Sequence, residues 1–395
     1  MSTSARVEPF RLEVSDAVLD AIQRRVSAFD LDALPARSGW ASGTSPTALR
    51  ELVDRWLTGY DWRSVETQLN RFPQLTADVH GTRLHVLREP GSGEAPPTVV
   101  LIHGWPSSFA SFRKVIDALA HPERNGGDSE TGMTVVVPSL PGYAFSSLAP
   151  RPLSFRDAAE LFHELIVDVL DCTTYLVHGG DQGAPIAEWM AFDHPDSCIG
   201  LHTPLLALRS DGAPFASGLT GVDDPEPEET AFVQAEHDLN VGPGNAYFPL
   251  QLHTPLTLAP GLSDSPVGLA AWFMEKYRLW TDRRGDDGEL GVDIDDVLTE
   301  VMIYLVSGSV ASSLVAYGEF FDGPLTLPPG ERISVPSGYA AYPDPRGVDA
   351  PASFARRTRN LAYWSSPERG GHFPALEVPE VFVADLRAFV AALPR

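Results

Sequence analysis

The sequence predicts an α/β protein: a mostly parallel sheet with helices on both faces, interrupted by a helical insertion and preceded by a helical, meandering arm. Three observations carry this. Short continuous apolar runs at 98–102, 134–137 and 174–177 alternate with helical patterns at 108–119 and 155–170. Uninterrupted apolar strands separated by helices belong to parallel sheets buried on both faces. The alternation stops near residue 205, gives way to helical patterns up to about 322, and resumes at 332–335 and 360–364.

The elements follow in order. In the arm, residues 1–75, Ser15 is placed to cap a helix through Val18, Leu19, Ile22 and Val26, and Ser45 one through Leu49, Leu52, Val53 and Trp56. A third apolar set stands at Trp62, Val65 and Leu69. The arm is expected to lie on a larger core. Residues 75–80 and 83–87 alternate around His80-Gly81, a hairpin signal. The first part of the core is expected over 76–207, the helical lid over 208–322, with helices at 267–280 and 294–317, and the second part of the core over 323–395. A last helix at 379–393 opens on a proline, a favourable first position.

The chain has 395 residues, 43% of them hydrophobic and 21% charged, a mix that buries a large core. Its 29 Lys+Arg against 53 Asp+Glu give a formal charge of −24. That argues against nucleic-acid partners, whose binders need a basic face, and against anionic membrane surfaces. Two cysteines, Cys172 and Cys198, build neither a disulfide scaffold nor a Cys-rich zinc site. The acidic runs 223–229 and 282–296 do not fit an EF-hand loop, and no H-E-x-x-H pair occurs, so no metal is expected. The N-terminus lacks the apolar core of a secretory signal and no 18-residue apolar run exists. A cytoplasmic protein is expected; a homodimer is compatible with the sequence.

Three strand ends carry candidate chemistry, where ligands of open α/β sheets sit. After the strand at 174–177 comes Gly179-Gly180-Asp181-Gln182-Gly183, followed by a helical pattern. This is the spacing of a nucleophile on a sharp strand-to-helix turn, with Asp181 in the nucleophile's place. Facing a helix N-terminus, Asp181 should be ionised. His103-Gly104-Trp105-Pro106 follows the strand at 98–102, so Trp105 N–H and Gln182 N–H are the candidate oxyanion donors. Arg369-Gly370-Gly371-His372-Phe373 follows the strand at 360–364, and His372 is the candidate general base, expected to titrate near neutral pH. The acid orienting it should follow the strand at 332–335. Asp344 and Asp349 are candidates, Asp344 being nearer the strand end.

Together these residues resemble the microsomal-type epoxide hydrolases of the α/β-hydrolase superfamily, over nearly the whole chain. In the arm the likeness lies in PFRLEV at 9–14, SGW at 38–40 and TGYDWR at 58–63. In the core it lies in HGWP at 103–106, SLPGY at 139–143, GGDQG at 179–183 and RGGHF at 369–373, and in the insertion in DSPVGLAAW at 264–272. The resemblance implies an α/β-hydrolase core with a lid, and two lid tyrosines, Tyr247 and Tyr317, that activate an epoxide oxygen. It implies attack by Asp181 on a ring carbon, an ester intermediate, and its hydrolysis by water that His372 deprotonates. The substrates implied are an epoxide and water, the product a vicinal diol, with no cofactor. The sequence departs from the pattern in two places. The family's acid would align near Pro345, one residue beyond Asp344, and 29–34 lacks the usual Trp-containing turn. A haloalkane dehalogenase would share the Asp nucleophile but needs halide-binding N–H donors. A binding or scaffold protein on the same fold is the alternative outside enzymes. Both detoxification of small epoxides and opening of a bulky epoxide in natural-product biosynthesis are open.

Overall fold

The computed structural model describes residues 6–35, 39–209, 224–283 and 290–394. Ser38 of the SGW segment, Asp223 of the first acidic run and residues 284–289 of the second lie outside them.

The arm contributes one strand, β1 (Val7–Phe10), and three helices, α1 (Asp16–Ser27), α2 (Pro46–Thr58) and α3 (Trp62–Leu69). Ser45 caps α2, its side chain accepting from Ala48 N–H, and Asp61 caps α3. Ser15 stands at the first position before α1, but its hydroxyl makes no capping bond, and Val18 is exposed rather than buried. The buried face of the arm comes from Ile22, Val26, Leu49, Leu52, Val53, Trp56, Trp62 and Leu69. The arm does more than lie on the core, because it also ties down the insertion. Arg55 Nη2 reaches Asp295 Oδ2 at 2.6 Å, Thr44 Oγ1 donates to Ala271 O at 2.6 Å, and Tyr60 O–H lies 3.2 Å from Thr299 Oγ1.

β2 (Gln74–Val79) and β3 (Thr82–Glu89) form the hairpin around His80-Gly81. β4 (Thr98–Ile102), β5 (Thr134–Pro138), β6 (Tyr175–Gly179), β7 (Cys198–Thr203), β8 (Ile333–Ala340) and β9 (Arg359–Ser365) complete a nine-stranded sheet in the order β1-β2-β3-β5-β4-β6-β7-β8-β9. The pairings β1/β2, β2/β3 and β3/β5 are antiparallel and the rest parallel. β1 and β7 were not legible as strands. In β7 the apolar run is broken by Gly200 and His202, and His202 is buried because its Nε2 meets Asp385 Oδ2 at 2.9 Å.

The segment 108–119, expected as one helix, is a 3₁₀ turn over Phe109–Phe112 followed by the short helix α4 (Ile116–Ala120). Ser108 Oγ accepts from Ala110 N–H and Ser111 Oγ donates to Ser108 O, so the serine hydroxyls take backbone groups a longer helix would use. α5 (Phe155–Glu164) continues through a π turn, and α6 (Gly183–Asp193) leaves the end of β6.

The insertion comprises α7 (Pro227–Val241), α8 (Tyr247–His253), α9 (Pro255–Asp264), α10 (Pro266–Trp280), α11 (Ile294–Ser307) and α12 (Val310–Phe320). The pattern at 294–317, read as one helix, is two. Gly308, left-handed at φ 69°, ends α11, and α12 turns away by 99°. No single helix among the described residues is long and apolar enough to cross a membrane; this bent pair passes such a test by length and composition only. α7 is joined to α13 (Ala352–Thr358) by Phe232 against Phe354, ring centroids 4.9 Å apart, and by Arg357 on Glu229 at 2.7 Å. The short α14 (Pro374–Glu377) packs on α15 (Pro379–Ala392) and on the 3₁₀ turn at 109–112, and α15 closes the chain against β7 and β9 of the sheet.

Candidate active site

The site is assembled at the carboxyl ends of β4, β6, β8 and β9 and roofed by α8, α10 and α12. Asp181 sits on the turn between β6 and α6 at φ 50°, a left-handed conformation that a non-glycine residue adopts only at a cost. The turn is tight enough that a Cβ on Gly179 would lie 2.1 Å from Gly183 O. Its neighbour loop is as close, since a Cβ on Gly104 would meet Asp181 Oδ1 at 2.3 Å. Glycine at these places lets the chain turn and lets the 103–106 loop approach the carboxylate.

The two oxygens of Asp181 have different surroundings. Oδ1 accepts from Trp105 N–H at 2.9 Å. Oδ2 lies 3.0 Å from His372 Nε2, and Arg346 Nη1 stands 3.7 Å from it. Gln182 opens α6 directly after Asp181, but among the described residues its backbone N–H makes no hydrogen bond to the carboxylate. Its side chain is fixed instead by Tyr143, whose O–H donates to Gln182 Oε1 at 2.7 Å. Burial by itself would raise the Asp181 pKa, but the His372 hydrogen bond and charge, then Arg346 and the Trp105 amide, outweigh it and hold it below the usual carboxylate value. Asp181 is therefore ionised at neutral pH.

His372 is held from both sides. Its backbone N–H donates to Trp280 O at 2.9 Å, and its Nδ1 lies 2.7 Å from Asp344 Oδ2. Asp344, rather than Asp349, thus occupies the acid's place, and Asp344 Oδ1 accepts from Arg346 N–H at 2.8 Å. Burial pulls the His372 pKa down, but the charges and hydrogen bonds of Asp344 and Asp181 win and raise it to about 9. That is above the near-neutral value expected from the sequence, because two carboxylates share one imidazolium in the resting site.

Tyr247 begins α8 and Tyr317 lies on α12, after the Gly308 bend. Both are buried and line one cavity with Asp181, Gln182, Phe248 and Arg346. Trp105 stacks on Tyr247 at 5.3 Å and meets Tyr317 edge-on at 5.8 Å. Burial raises the pKa of both tyrosines, so each hydroxyl keeps its proton in the resting site. The Arg346 guanidinium opposes that shift at both, and the nearby Asp181 charge adds to it.

Sequence reasoning missed Arg346, Trp280 and Tyr143. Arg346 follows Asp344 by two residues in the acid's own loop, a signal that was available. Trp280 and Tyr143 reach the site only because of where α10 and the loop after β5 are packed. Among the described residues no cluster of His, Cys, Asp and Glu could hold a metal ion.

The arrangement offers an ionised, sterically fixed carboxylate, a carboxylate-supported imidazole within reach of it, a backbone donor, and two phenolic donors in one apolar cavity. Comparisons with known proteins agree on one family. Residues 7–112 match the family described as epoxide hydrolase N terminus, and 97–204 match the alpha/beta hydrolase fold. The chain is 33% identical over 385 residues to a Stigmatella aurantiaca protein named among the epoxide hydrolases, covering 96% of this chain and 84% of that one. It is 30% identical to juvenile hormone epoxide hydrolase 2 of Ctenocephalides felis, covering 98% and 85%. It is 28% identical to epoxide hydrolase 1 of Oryctolagus cuniculus, covering 98% and 90%. Among solved structures, the juvenile hormone epoxide hydrolase of Bombyx mori superposes with a TM-score of 0.82 at 27% identity, covering 98% of this chain and 94% of that one. The Aspergillus niger epoxide hydrolase gives 0.80 at 27%, covering 100% and 98%.

Proposed function

The chain belongs to the epoxide hydrolases of the α/β-hydrolase fold, enzymes that add water across an epoxide, and on that premise we propose that Asp181 performs the reaction through a covalent ester. The observation that carries this is the line Asp344–His372–Asp181, with the Trp105 amide on one oxygen of the nucleophile, His372 on the other, and Asp181 lining the same cavity as the two tyrosines.

In the first step Asp181 Oδ2 attacks a ring carbon. The carbon–oxygen bond of the ring breaks, and its electron pair goes to the epoxide oxygen, which takes a proton from Tyr247 or Tyr317. A carboxylate needs no base for this displacement, because it is already anionic. Each tyrosine as a general acid contributes roughly 10²–10⁴-fold. Ester formation removes the Asp181 charge, and with it one of the interactions holding a proton on His372, so the imidazolium of the resting site releases that proton to solvent and regains it when the Asp181 carboxylate is restored.

In the second step neutral His372 takes a proton from water, and the hydroxide attacks the Asp181 carbonyl carbon. The oxyanion forms on Oδ1, where the Trp105 N–H already donates; removing one such donor typically costs about 3–4 kcal/mol. The bond between the carbonyl carbon and Oδ2 breaks. The departing oxygen takes the proton from His372, and the new carboxylic acid returns its proton to the tyrosinate. The product is a vicinal diol, and Asp181 is restored.

The test is the intact mass of His372→Gln after exposure to an aryl epoxide. Trapped protein heavier by the whole epoxide, with no gain once Asp181→Asn is added, supports the assignment. A halide-free alkyl adduct from an alkyl halide, without an epoxide adduct, would make the site a dehalogenase. No adduct across small and bulky epoxides would sink the nucleophile assignment.

A further inference from the structure

The catalytic steps use one charged side chain of the cavity only as a counter-charge to Asp181 and the two tyrosines. Arg346 is the only cation among the described residues lining it, and its Nη1 is shielded from water with no hydrogen-bond partner among them. The side chain is fixed: its guanidinium carbon lies 4.3 Å over the Trp280 ring, and its backbone N–H is on Asp344. At 3.7 Å from Asp181 Oδ2 it is too far for a hydrogen bond and close enough for an ion pair. A second donor lines the same cavity. Gln182 Nε2 is buried and has no partner among the described residues, while Tyr143 occupies the amide's oxygen and so fixes the nitrogen at the other end. Both unpartnered atoms are donors, and the ligand group that answers two donors, one of them cationic, is an anionic acceptor.

Charge bookkeeping points the same way. In the resting site the guanidinium faces Asp181. Alkylation turns that carboxylate into a neutral ester, and the alkoxide formed in its place is protonated by a tyrosine. Asp344 remains, but it is engaged by His372 Nδ1 and by the Arg346 backbone. With a neutral epoxide the negative charge passes from Asp181 to the tyrosine that gave its proton, so for the lifetime of the ester the guanidinium has a tyrosinate in its cavity but no carboxylate at Asp181. A substrate carrying a permanent negative charge beside the ring would supply a partner through both steps.

We propose that Arg346 and Gln182 form an anion subsite for a carboxylate carried on or next to the epoxide ring, making an epoxy acid the preferred substrate class. The proposal rests on the nucleophile assignment above. The carboxylate would lie against Arg346 while the ring lies between Asp181 Oδ2 and the tyrosine hydroxyls.

The experiment is the ratio of kcat/KM for oxirane-2-carboxylate to that for oxirane-2-carboxamide, close in size and differing in charge. The wild type is expected to favour the carboxylate by roughly 10–100-fold, the range of a charged hydrogen bond. Arg346→Met should bring the ratio to about one or below, and Arg346→Lys should keep part of the preference because it keeps the charge. A wild-type ratio of one or less overturns the subsite without any variant, as does an Arg346→Met enzyme that turns over both with the ratio unchanged. Failure of the underlying assignment looks different: neither compound is turned over, and His372→Gln forms no ester with either or with an aryl epoxide.

Discussion

Asp344 Oδ2 lies 2.7 Å from His372 Nδ1. Asp344, in the loop after β8, stands one residue before Pro345, the position near which the resemblance read from the sequence would align the acid. The same loop then turns Arg346 into the cavity, with Arg346 N–H bound to the other oxygen of Asp344. Acid and cation are thus fixed by one short segment.

Asp344→Asn is expected to lower kcat by about 10³–10⁴-fold, the scale seen when the carboxylate behind a catalytic imidazole is made neutral. The loss should fall on ester hydrolysis, so rapid-quench mass measurements should find the alkylated enzyme accumulating. Asp349→Asn, one of the two acids weighed from sequence, should keep the wild-type rate, since it does not contact His372. The reverse result would move the acid to Asp349.

The His372 pKa should depend on the charge of Asp181. In the resting enzyme the imidazolium is retained up to about pH 9 because Asp344 and Asp181 both favour it against burial. Asp181→Asn removes one of these, so the midpoint read by NMR of His372 should move down. Ester formation is expected to do the same, which frees His372 to act as a base when water must be activated. A midpoint unchanged in Asp181→Asn would contradict the coupling.

Tyr247→Phe and Tyr317→Phe should each slow the alkylation phase by roughly 10²-fold or more. Hydrolysis of ester already formed should change much less, because the tyrosines act on the epoxide oxygen. Stopped-flow tryptophan fluorescence can separate the phases, Trp105 and Trp280 being 5.3 and 5.4 Å from the Tyr247 ring. A variant whose slow phase alone is affected would reassign that tyrosine.

Acid should destabilise the fold through buried neutral histidines. Burial lowers His85 to about 3 and His103 to about 4, and His178 well below its usual value. Below about pH 6.5 the unfolded chain binds these protons and the folded chain does not. Stability present above that pH is therefore lost as pH falls toward 4, at about 1.4 kcal/mol per pH unit for each histidine. Urea midpoints at descending pH should show it, and His85→Gln, whose amide can replace part of the bonding to Ser139 and Gln74, should flatten the slope.

Trp56→Ala should cost about 3–5 kcal/mol, as for other buried aromatic truncations. Trp56 belongs to α2, which packs on α10 and α11 of the insertion. Loosening the arm should therefore also raise KM if the lid depends on it. Thermal unfolding and steady-state kinetics on the same variant check both effects.

The sequence by itself determined the layer architecture, the strand-to-helix turns and the residue types at three strand ends. These are local: a continuous apolar run specifies a buried strand, and glycines flanking Asp181 mark a turn that larger residues could not make. The central helical insertion was legible as a change of period. What it could not decide involved partners distant in the chain. The pattern at 294–317 has one helical period across Gly308, and only packing decides that the chain bends there and brings Tyr317 to the cavity. β7 was hidden because His202 is polar in the sequence and acceptable in the core only once Asp385, 183 residues away, is brought against it. The choice of Asp344 over Asp349, the raised pKa of His372 and the presence of Arg346 beside Asp181 were likewise settled in three dimensions. Electrostatic roles depend on distances of a few ångströms between segments that the chain brings together from 150 residues or more apart.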